Sequence, residues 1–186
     1  MFNIHPNRRG LVTLTFISTL FLISLIGCAE NYNVPRYNET NNKYYLSGDL
    51  NLHTYESIIQ IVEKNKDKKI TLVVDSLGGY VSGIEDAMDA IHAHGEVSWI
   101  VRSRCYSACA LLGIAASRID GTLYFHSINA GYGNTSYMSL TRNDHIIKKL
   151  ISYGYNKNFA EKLMSSINIQ TKLEFHDGRL LNSSND

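Results

Sequence analysis

The chain has little excess charge of either sign, few cysteines and no internal repeat. Its 186 residues carry 18 Lys and Arg against 17 Asp and Glu, a net charge of +1. This balance gives no electrostatic basis for binding nucleic acid. Only three cysteines are present, and no second Cys/His pair stands at ligand spacing, which argues against a zinc site. We therefore expect no metal, no cofactor and no nucleic-acid partner.

The longest apolar run lies near the start of the sequence and predicts a processing signal. The basic pair Arg8-Arg9 precedes a mostly apolar stretch from Leu11 to Ile26, and a Leu-Ile-Gly sequence then leads into Cys28 in the form of a bacterial lipobox. This pattern predicts that residues 1–27 are removed and that the Cys28 thiol carries lipid such as palmitate. An uncleaved anchor and an ordinary secretory signal are the alternatives, since 16 residues almost span a bilayer.

The expected mature chain is balanced in charge and starts with a segment of unusual composition. Loss of the two arginines leaves 16 basic and 17 acidic residues, so membrane attachment would depend on the lipid alone. Residues 28–43 are rich in Asn and Tyr and lack apolar periodicity, which predicts a lipidated cysteine followed by a flexible tether. We expect one domain over residues 44–186, held at a membrane of the cell envelope and facing the periplasm or the exterior.

Helical and strand patterns alternate along this domain. Apolar or β-branched runs predict strands at 70–74, 97–101 and 122–125. Apolar residues at helical spacing, or small residues, predict helices at 53–66, 81–94, 107–116, about 140–153, 157–167 and near 171–177. Strands separated by helices predict an α/β fold with parallel strands and helical crossovers. Ligands bind beyond the carboxyl ends of such strands.

Three features with chemical potential fall at those carboxyl ends. Gly78-Gly79 follows the first of these strands, Ser107 follows the second, and His126 follows the third. Glycines let a backbone approach a ligand closely and present N–H groups to an oxyanion, whereas serine and histidine supply a nucleophile and a base. Each feature alone also fits a structural role, such as a tight turn or a helix cap. Their common position at one sheet edge predicts an acyl-transfer site.

Two cysteines flank this serine. Cys105 and Cys109 are an even pair in a compartment that permits disulfides, and a separation of four residues lies near the distance limit for a bond. Two small buried thiols that pack around Ser107 fit the pattern equally well. The sequence leaves both interpretations open.

The motifs resemble those of the ClpP/crotonase-like superfamily. Asp75-Ser-Leu-Gly-Gly79 is similar to a glycine turn of the Clp protease proteolytic subunit, and Tyr-Ser-Ala-Cys-Ala around Ser107 is similar to its nucleophile segment. The likeness is closer to a periplasmic branch with Cys-x-Ser-Ala-Cys, then an arginine, here Arg118, then a strand that ends in histidine. It covers roughly residues 44–128. It implies a ββα-spiral fold and subunits that often form rings or smaller oligomers.

The resemblance also assigns roles to individual residues. It implies that Ser107 is the nucleophile, that His126 is the base, and that the backbone N–H groups of Gly79 and Ala108 form the oxyanion hole. Only 18 residues separate Ser107 from His126, fewer than in Clp peptidases, which predicts a shortened connection near 117–122.

The third member of a catalytic triad is harder to place. The corresponding segment, about Asn168 to Gln170, contains no acid. Asp177 is the favoured candidate, ahead of Glu174 and Asp144, although each also fits a solvated surface. A Ser–Lys dyad would instead require a lysine directed at Ser107, for which Lys148 and Lys149 are the candidates.

Two functions from different classes are consistent with these patterns. The first is a serine hydrolase, most simply a peptidase, in which Ser107 and His126 cleave a peptide or protein substrate. The second is a catalytically inactive binding module that keeps the cleft and holds a peptide or partner protein. In both cases a homo-oligomer is compatible with the family likeness.

Overall fold

A computed structural model describes residues 33–126, 136–165 and 171–185. The predicted signal, Cys28 and the segment 168–170 lie outside these ranges. Among the helices that are described, none combines the length and the apolar character needed to span a bilayer.

Seven strands of the described chain form one mixed sheet. They are β1 (Arg36–Asn38), β2 (Lys43–Ser47), β3 (Ile70–Ser76), β4 (Val97–Cys105), β5 (Arg118–Phe125), β6 (Thr171–His176) and β7 (Arg179–Asn185). Their spatial order follows their order in the sequence. The four strands β2 to β5 run parallel, whereas β1 at one edge and β6 and β7 at the other pair in antiparallel fashion.

Three helices connect the parallel strands, and two further helices follow in the described chain. They are α1 (Leu52–Lys64), α2 (Ile84–His94), α3 (Ala108–Ile114), α4 (Ser136–Ser152) and α5 (Lys157–Met164). α1 joins β2 to β3, α2 joins β3 to β4, and α3 joins β4 to β5, as crossovers between parallel strands require. The predicted α/β class with parallel strands and helical crossovers is therefore confirmed.

Local sequence explains where several of these elements begin and end. Asn51 caps α1, because its side chain accepts a hydrogen bond from Thr54 N while Thr54 Oγ1 accepts one from Asn51 N, both at 3.2 Å. α2 ends before Gly95, whose φ of 73° is a left-handed conformation that glycine adopts without strain. Burial alternates along β3 from Ile70 onward, which fits a strand covered more closely on one face.

The core lies between the sheet and the helices that cover it. Trp99 and Phe125 on strands and Ile58 and Met88 on helices are fully buried or nearly so. Every residue of α3 is buried. A Cβ at Gly113 would lie only 2.9 Å from the indole ring of Trp99, so this helix packs directly on the indole. The turn that precedes α3 therefore has a closely packed base.

The prediction of a last helix near 171–177 is wrong. The segment near 171–177 contains β6, which pairs antiparallel with β5 and β7. Burial alternates along it, with Thr171 and Leu173 buried and their neighbours only partly covered. Asp177-Gly178 then forms a two-residue turn into β7, with φ values of 52° and 77°. Asp-Gly is a frequent pair at such hairpin turns.

The sheet also begins earlier than the sequence predicted. Arg36–Asn38, inside the predicted tether, forms β1 and pairs with β2. Asn33 is tied to the domain as well, because its side chain donates to Asp49 O at 3.0 Å and its carbonyl accepts from Thr54 Oγ1 at 2.6 Å. A polar edge strand of three residues has no alternation of apolar residues. It can therefore be recognised only from its pairing with β2 and not from its sequence.

Candidate functional site

Ser107 lies in the turn between β4 and α3 and has an uncommon backbone conformation. Its φ is 55° and its ψ is −121°, although it carries a side chain. Its N–H donates to Tyr124 O at 2.9 Å, and its carbonyl accepts from Leu111 N at 3.0 Å. Positive φ at a non-glycine residue concentrates at functional turns, where surrounding structure holds it. The half-buried Ser107 is thus held by hydrogen bonds to β5 and to α3.

Gly78 packs directly against this serine. A Cβ at Gly78 would lie 2.7 Å from Ser107 Cβ and 2.7 Å from Tyr106 O, closer than real Cβ contacts allow. The φ of Gly78 is 96°, which side chains rarely adopt. Glycine is therefore required here for two separate reasons, and the predicted juxtaposition of the glycine pair with Ser107 is present.

Backbone pairing orients the N–H of Gly79. Leu50 N donates to Gly78 O at 2.8 Å, and Tyr80 N donates to Leu50 O at 3.0 Å. In this parallel bridge the N–H of the middle residue points to the opposite side, which is the side of β4. Ala108 N lies nearby, 3.1 Å from the position of a Gly78 Cβ. Neither N–H donates to a backbone carbonyl of the described residues.

Two residues that the sequence pattern did not indicate support the glycine turn. Ser76, almost fully buried, donates from Oγ to Gly48 O at 2.6 Å and accepts at Oγ from Gly78 N at 3.0 Å. Tyr55 in α1 donates its hydroxyl proton to Tyr80 O. Burial raises the pKa of Tyr55, so the hydroxyl stays protonated and available as a donor. A polar residue at the end of a buried strand was the available signal for Ser76.

His126 lies directly after β5, at the same sheet edge as Ser107. Tyr124, two residues earlier, forms a parallel bridge with Tyr106, and their rings stack with centroids 4.3 Å apart. Only residues 115–117 connect α3 to β5. The structure therefore brings the glycine pair, Ser107 and His126 to the carboxyl ends of adjacent parallel strands.

Asp177 lies at the other end of β5, and the prediction that it is the third triad member is wrong. It forms an ion pair with Arg118, the first residue of this strand, and Gly178 N donates to Ile119 O at 2.9 Å. His126 follows the last residue of β5. Seven steps of about 3.3 Å separate the two ends, a distance of roughly 23 Å. Because 171–176 forms the antiparallel strand β6 and not the predicted helix, Asp177 lies at the amino end of β5.

The other candidates for orienting His126 or activating Ser107 lie on the sheet or on α4, where they form ion pairs or are exposed to solvent. Glu174 pairs with Thr122 in the middle of the sheet and lies 3.9 Å from Lys172 Nζ. Asp144 is exposed on α4. Lys149 donates to Asp89 on α2, so its ammonium group is engaged away from the turn. We assign no third member.

The structure joins Cys105 and Cys109 in a disulfide whose Cα atoms are 5.1 Å apart. Both residues are fully buried, and Trp99 Nε1 donates to Cys105 Sγ at 3.4 Å. Of the two interpretations that the sequence leaves open, the structure therefore supports the disulfide rather than two free thiols. Among the described residues, no group of three or more His, Cys, Asp or Glu side chains is placed to hold a metal ion.

One ion pair lies close to the glycine turn. Arg104 Nε is 3.0 Å from Asp75 Oδ1, where β4 bulges away from its register with β3. Both side chains are partly exposed, so solvent and salt screen the attraction between them and the pair contributes little to stability. The site is consequently built mainly from backbone groups rather than from charged side chains.

No family model matches this chain, and a search of curated proteins finds no significant match.

Proposed function

We propose that the chain is a serine hydrolase of ClpP/crotonase type that cleaves peptide bonds in the cell envelope. The observation that supports this proposal most is the turn at Ser107. A serine with positive φ packs against Gly78, and the N–H groups of Gly79 and Ala108 lie beside it without a described backbone acceptor. Such a turn costs free energy and is typical of an activated nucleophile.

In the proposed reaction Ser107 Oγ attacks the carbonyl carbon of a peptide while His126 accepts the hydroxyl proton. The carbonyl oxygen becomes an oxyanion that the N–H groups of Gly79 and Ala108 stabilise. His126 then protonates the departing amine, and the C–N bond breaks to leave an ester on Ser107. Water, deprotonated by His126, cleaves this ester, releases a carboxylic acid and restores the serine.

The proposed machinery is a Ser–His pair rather than a complete triad. Removing the orienting acid from a triad lowers the rate by about 10⁴, while the remaining groups still catalyse the reaction. We therefore expect a slow enzyme. A ββα-spiral arrangement and assembly into homo-oligomers are part of the same proposal, because the resemblance to Clp subunits implies both.

A fluorophosphonate probe tests the proposal directly, because it reacts with activated serines. The wild-type chain should be labelled, Ser107→Ala should not, and His126→Ala should be labelled at a much lower rate. Ser103→Ala is the matched control, since Ser103 is exposed on β4 only four residues away. It should be labelled like the wild type.

Absence of labelling in the wild type would contradict the hydrolase and favour the second function. In that case the chain is a binding module that uses the same cleft to hold a peptide or protein partner. Peptide binding that persists in Ser107→Ala, measured by calorimetry, would support this alternative.

We also propose that the mature chain is a lipoprotein attached to an envelope membrane through Cys28. The support is the sequence of residues 1–28 alone. Metabolic labelling with radioactive palmitate should mark the wild-type chain. Cys28→Ala should give an unlabelled precursor of higher mass, and normal processing of this variant would refute the lipid anchor.

A further inference from the structure

The disulfide encloses the proposed nucleophile. Cys105 is the last residue of β4 and Cys109 is the second residue of α3, so the bond spans the turn from one element to the other. Only Tyr106, Ser107 and Ala108 lie between them. Every backbone torsion of Ser107 is therefore inside a small covalent ring. A change in the conformation of this serine must be compatible with closure of that ring.

The bond is also anchored to the core. Both cysteines have no solvent exposure, and the indole N–H of Trp99 donates to Cys105 Sγ. Trp99 in turn packs on Gly113 of α3, where a Cβ would lie 2.9 Å from the ring. The ring that contains Ser107 is consequently fixed to β4 and to α3, not merely closed upon itself.

The position of the disulfide is better suited to restricting the turn at Ser107 than to stabilising the whole fold. A disulfide stabilises a fold mainly by restricting the unfolded chain, and this effect is small for a loop of five residues. The same short loop restricts the native turn strongly. With φ at 55° Ser107 contacts Gly78, and a return to negative φ would move both its side chain and Ala108 N–H.

We propose that the Cys105–Cys109 disulfide is a positioning device that keeps Ser107 and the Ala108 N–H in reactive geometry. This inference rests on the proposed hydrolase function and adds that the enzyme needs the oxidised pair. A dithiol reductant would transfer two electrons and two protons to the pair, giving two thiols and leaving the reductant as its own disulfide. A disulfide-carrying oxidant reverses the step.

The test compares one sequence in two redox states. Wild-type chain is unfolded, reduced with dithiothreitol and refolded with the reductant present, and half of it is then reoxidised. The rate of fluorophosphonate labelling should be at least tenfold lower in the reduced sample and should recover on reoxidation. Cys105→Ala/Cys109→Ala should match the reduced sample, and added oxidant should not restore it. Equal rates in the oxidised and reduced samples would overturn the inference.

A second variant separates positioning from general destabilisation. Ile58→Val removes one methylene group from the core at α1, far along the chain from the turn, and it should keep the wild-type labelling rate. All samples are compared well below their unfolding temperatures, with circular dichroism to verify folding. A tenfold decrease in Ile58→Val as well would show that the effect is not specific to the disulfide.

Backbone NMR keeps this inference distinct from the hydrolase proposal. A positive φ at Ser107 gives a strong intraresidue contact between its amide and α protons, which should be present in the oxidised wild type and lost after reduction. If the wild type is not labelled at all, the hydrolase proposal fails, and this signal alone decides whether the disulfide positions Ser107. Persistence of the signal in the reduced chain would overturn the inference.

Discussion

The two ends of β5 differ in how they are built. At the carboxyl end, the neighbourhood of Ser107 consists of backbone groups in close contact, so that a Cβ at Gly78 would meet other atoms at 2.7 Å. At the amino end, Asp177 and Arg118 form an exposed ion pair, and a Cβ at Gly178 would meet its nearest atom only at 3.4 Å. The closely packed, backbone-rich end is the better candidate for chemistry.

This comparison shows why an acid is a poor guide to a site. A carboxylate on the surface is hydrated and pairs with a mobile side chain, so its ion pair changes the free energy of folding very little. A serine with positive φ and a glycine with no room for a Cβ both cost free energy, and they persist only where the rest of the structure holds them. The strained end of β5 is therefore the more informative one.

Gly78→Ala should produce the largest effect of the variants considered. The new methyl group would contact Tyr106 O and Ser107 Cβ at 2.7 Å, and the φ of 96° is unfavourable for alanine. We expect the free energy of unfolding to fall by roughly 3 kcal/mol, from left-handed strain and overpacking together. Urea denaturation measures this loss, and fluorophosphonate labelling should be abolished because the nucleophile turn must move.

Gly178→Ala is the matched control at the other end of the strand. Its φ is 77°, but its nearest contact is Arg118 Cγ at an ordinary distance, so strain alone operates. We expect a loss of about 1 kcal/mol and an unchanged labelling rate. Equal losses of stability in the two alanine variants would mean that the close contact at Gly78 has no energetic importance.

The parallel half of the fold could be predicted from the sequence, whereas its antiparallel edges could not. Strands such as Ile70–Ser76 are buried on one face and partly covered on the other, and their β-branched runs predict them. β1 has three polar residues and exists only through its pairing with β2. β6 does carry a signal, because its buried residues alternate and Asp177-Gly178 is a hairpin pair, and both features favour a strand over the predicted helix.

The candidate site shows the same division. Gly79, Ser107 and His126 are candidates because each follows a predicted strand, and strand ends can be located from hydrophobic patterns. Ser76 and Tyr55 could not be predicted because the carbonyl oxygens that accept from their hydroxyl groups, Gly48 O and Tyr80 O, are distant in sequence. Hydrogen-bond partners that are distant in sequence depend on the topology of the fold, and residue spacing along the chain does not reveal that topology.

Asp89 provides a charged cluster that should affect stability without affecting activity. This carboxylate on α2 accepts hydrogen bonds from Lys149 and from Tyr153 OH. Desolvation is the largest influence and raises its pKa, but these bonds and the nearby positive charge together outweigh it, so the pKa of Asp89 is lowered on folding. The charged form is therefore favoured in the folded state.

Asp89→Asn should consequently cost stability in a pH-dependent manner. A carboxyl whose pKa falls on folding stabilises the protein above its unfolded pKa of about 3.9, and this contribution disappears as the pH drops through the folded value. Because half of the side chain is exposed, we expect only about 1 kcal/mol at pH 7. Unfolding curves of the variant and the wild type should converge as the pH falls below about 3.9 and through the lowered folded value. A difference that grows on acidification would contradict the lowered pKa.

Asp177→Asn should have the smallest effect, and it tests the comparison of the two strand ends most sharply. Loss of an exposed ion pair with Arg118 should lower the free energy of unfolding by less than about 0.5 kcal/mol. Labelling at Ser107 should proceed at the wild-type rate. An acid that oriented His126 would instead be needed for most of the rate, and its amide variant would be slower by up to about 10⁴. A large decrease in rate without a decrease in stability would therefore bring Asp177 back to the site, and would require the hairpin between β6 and β7 to lie elsewhere than beside Arg118.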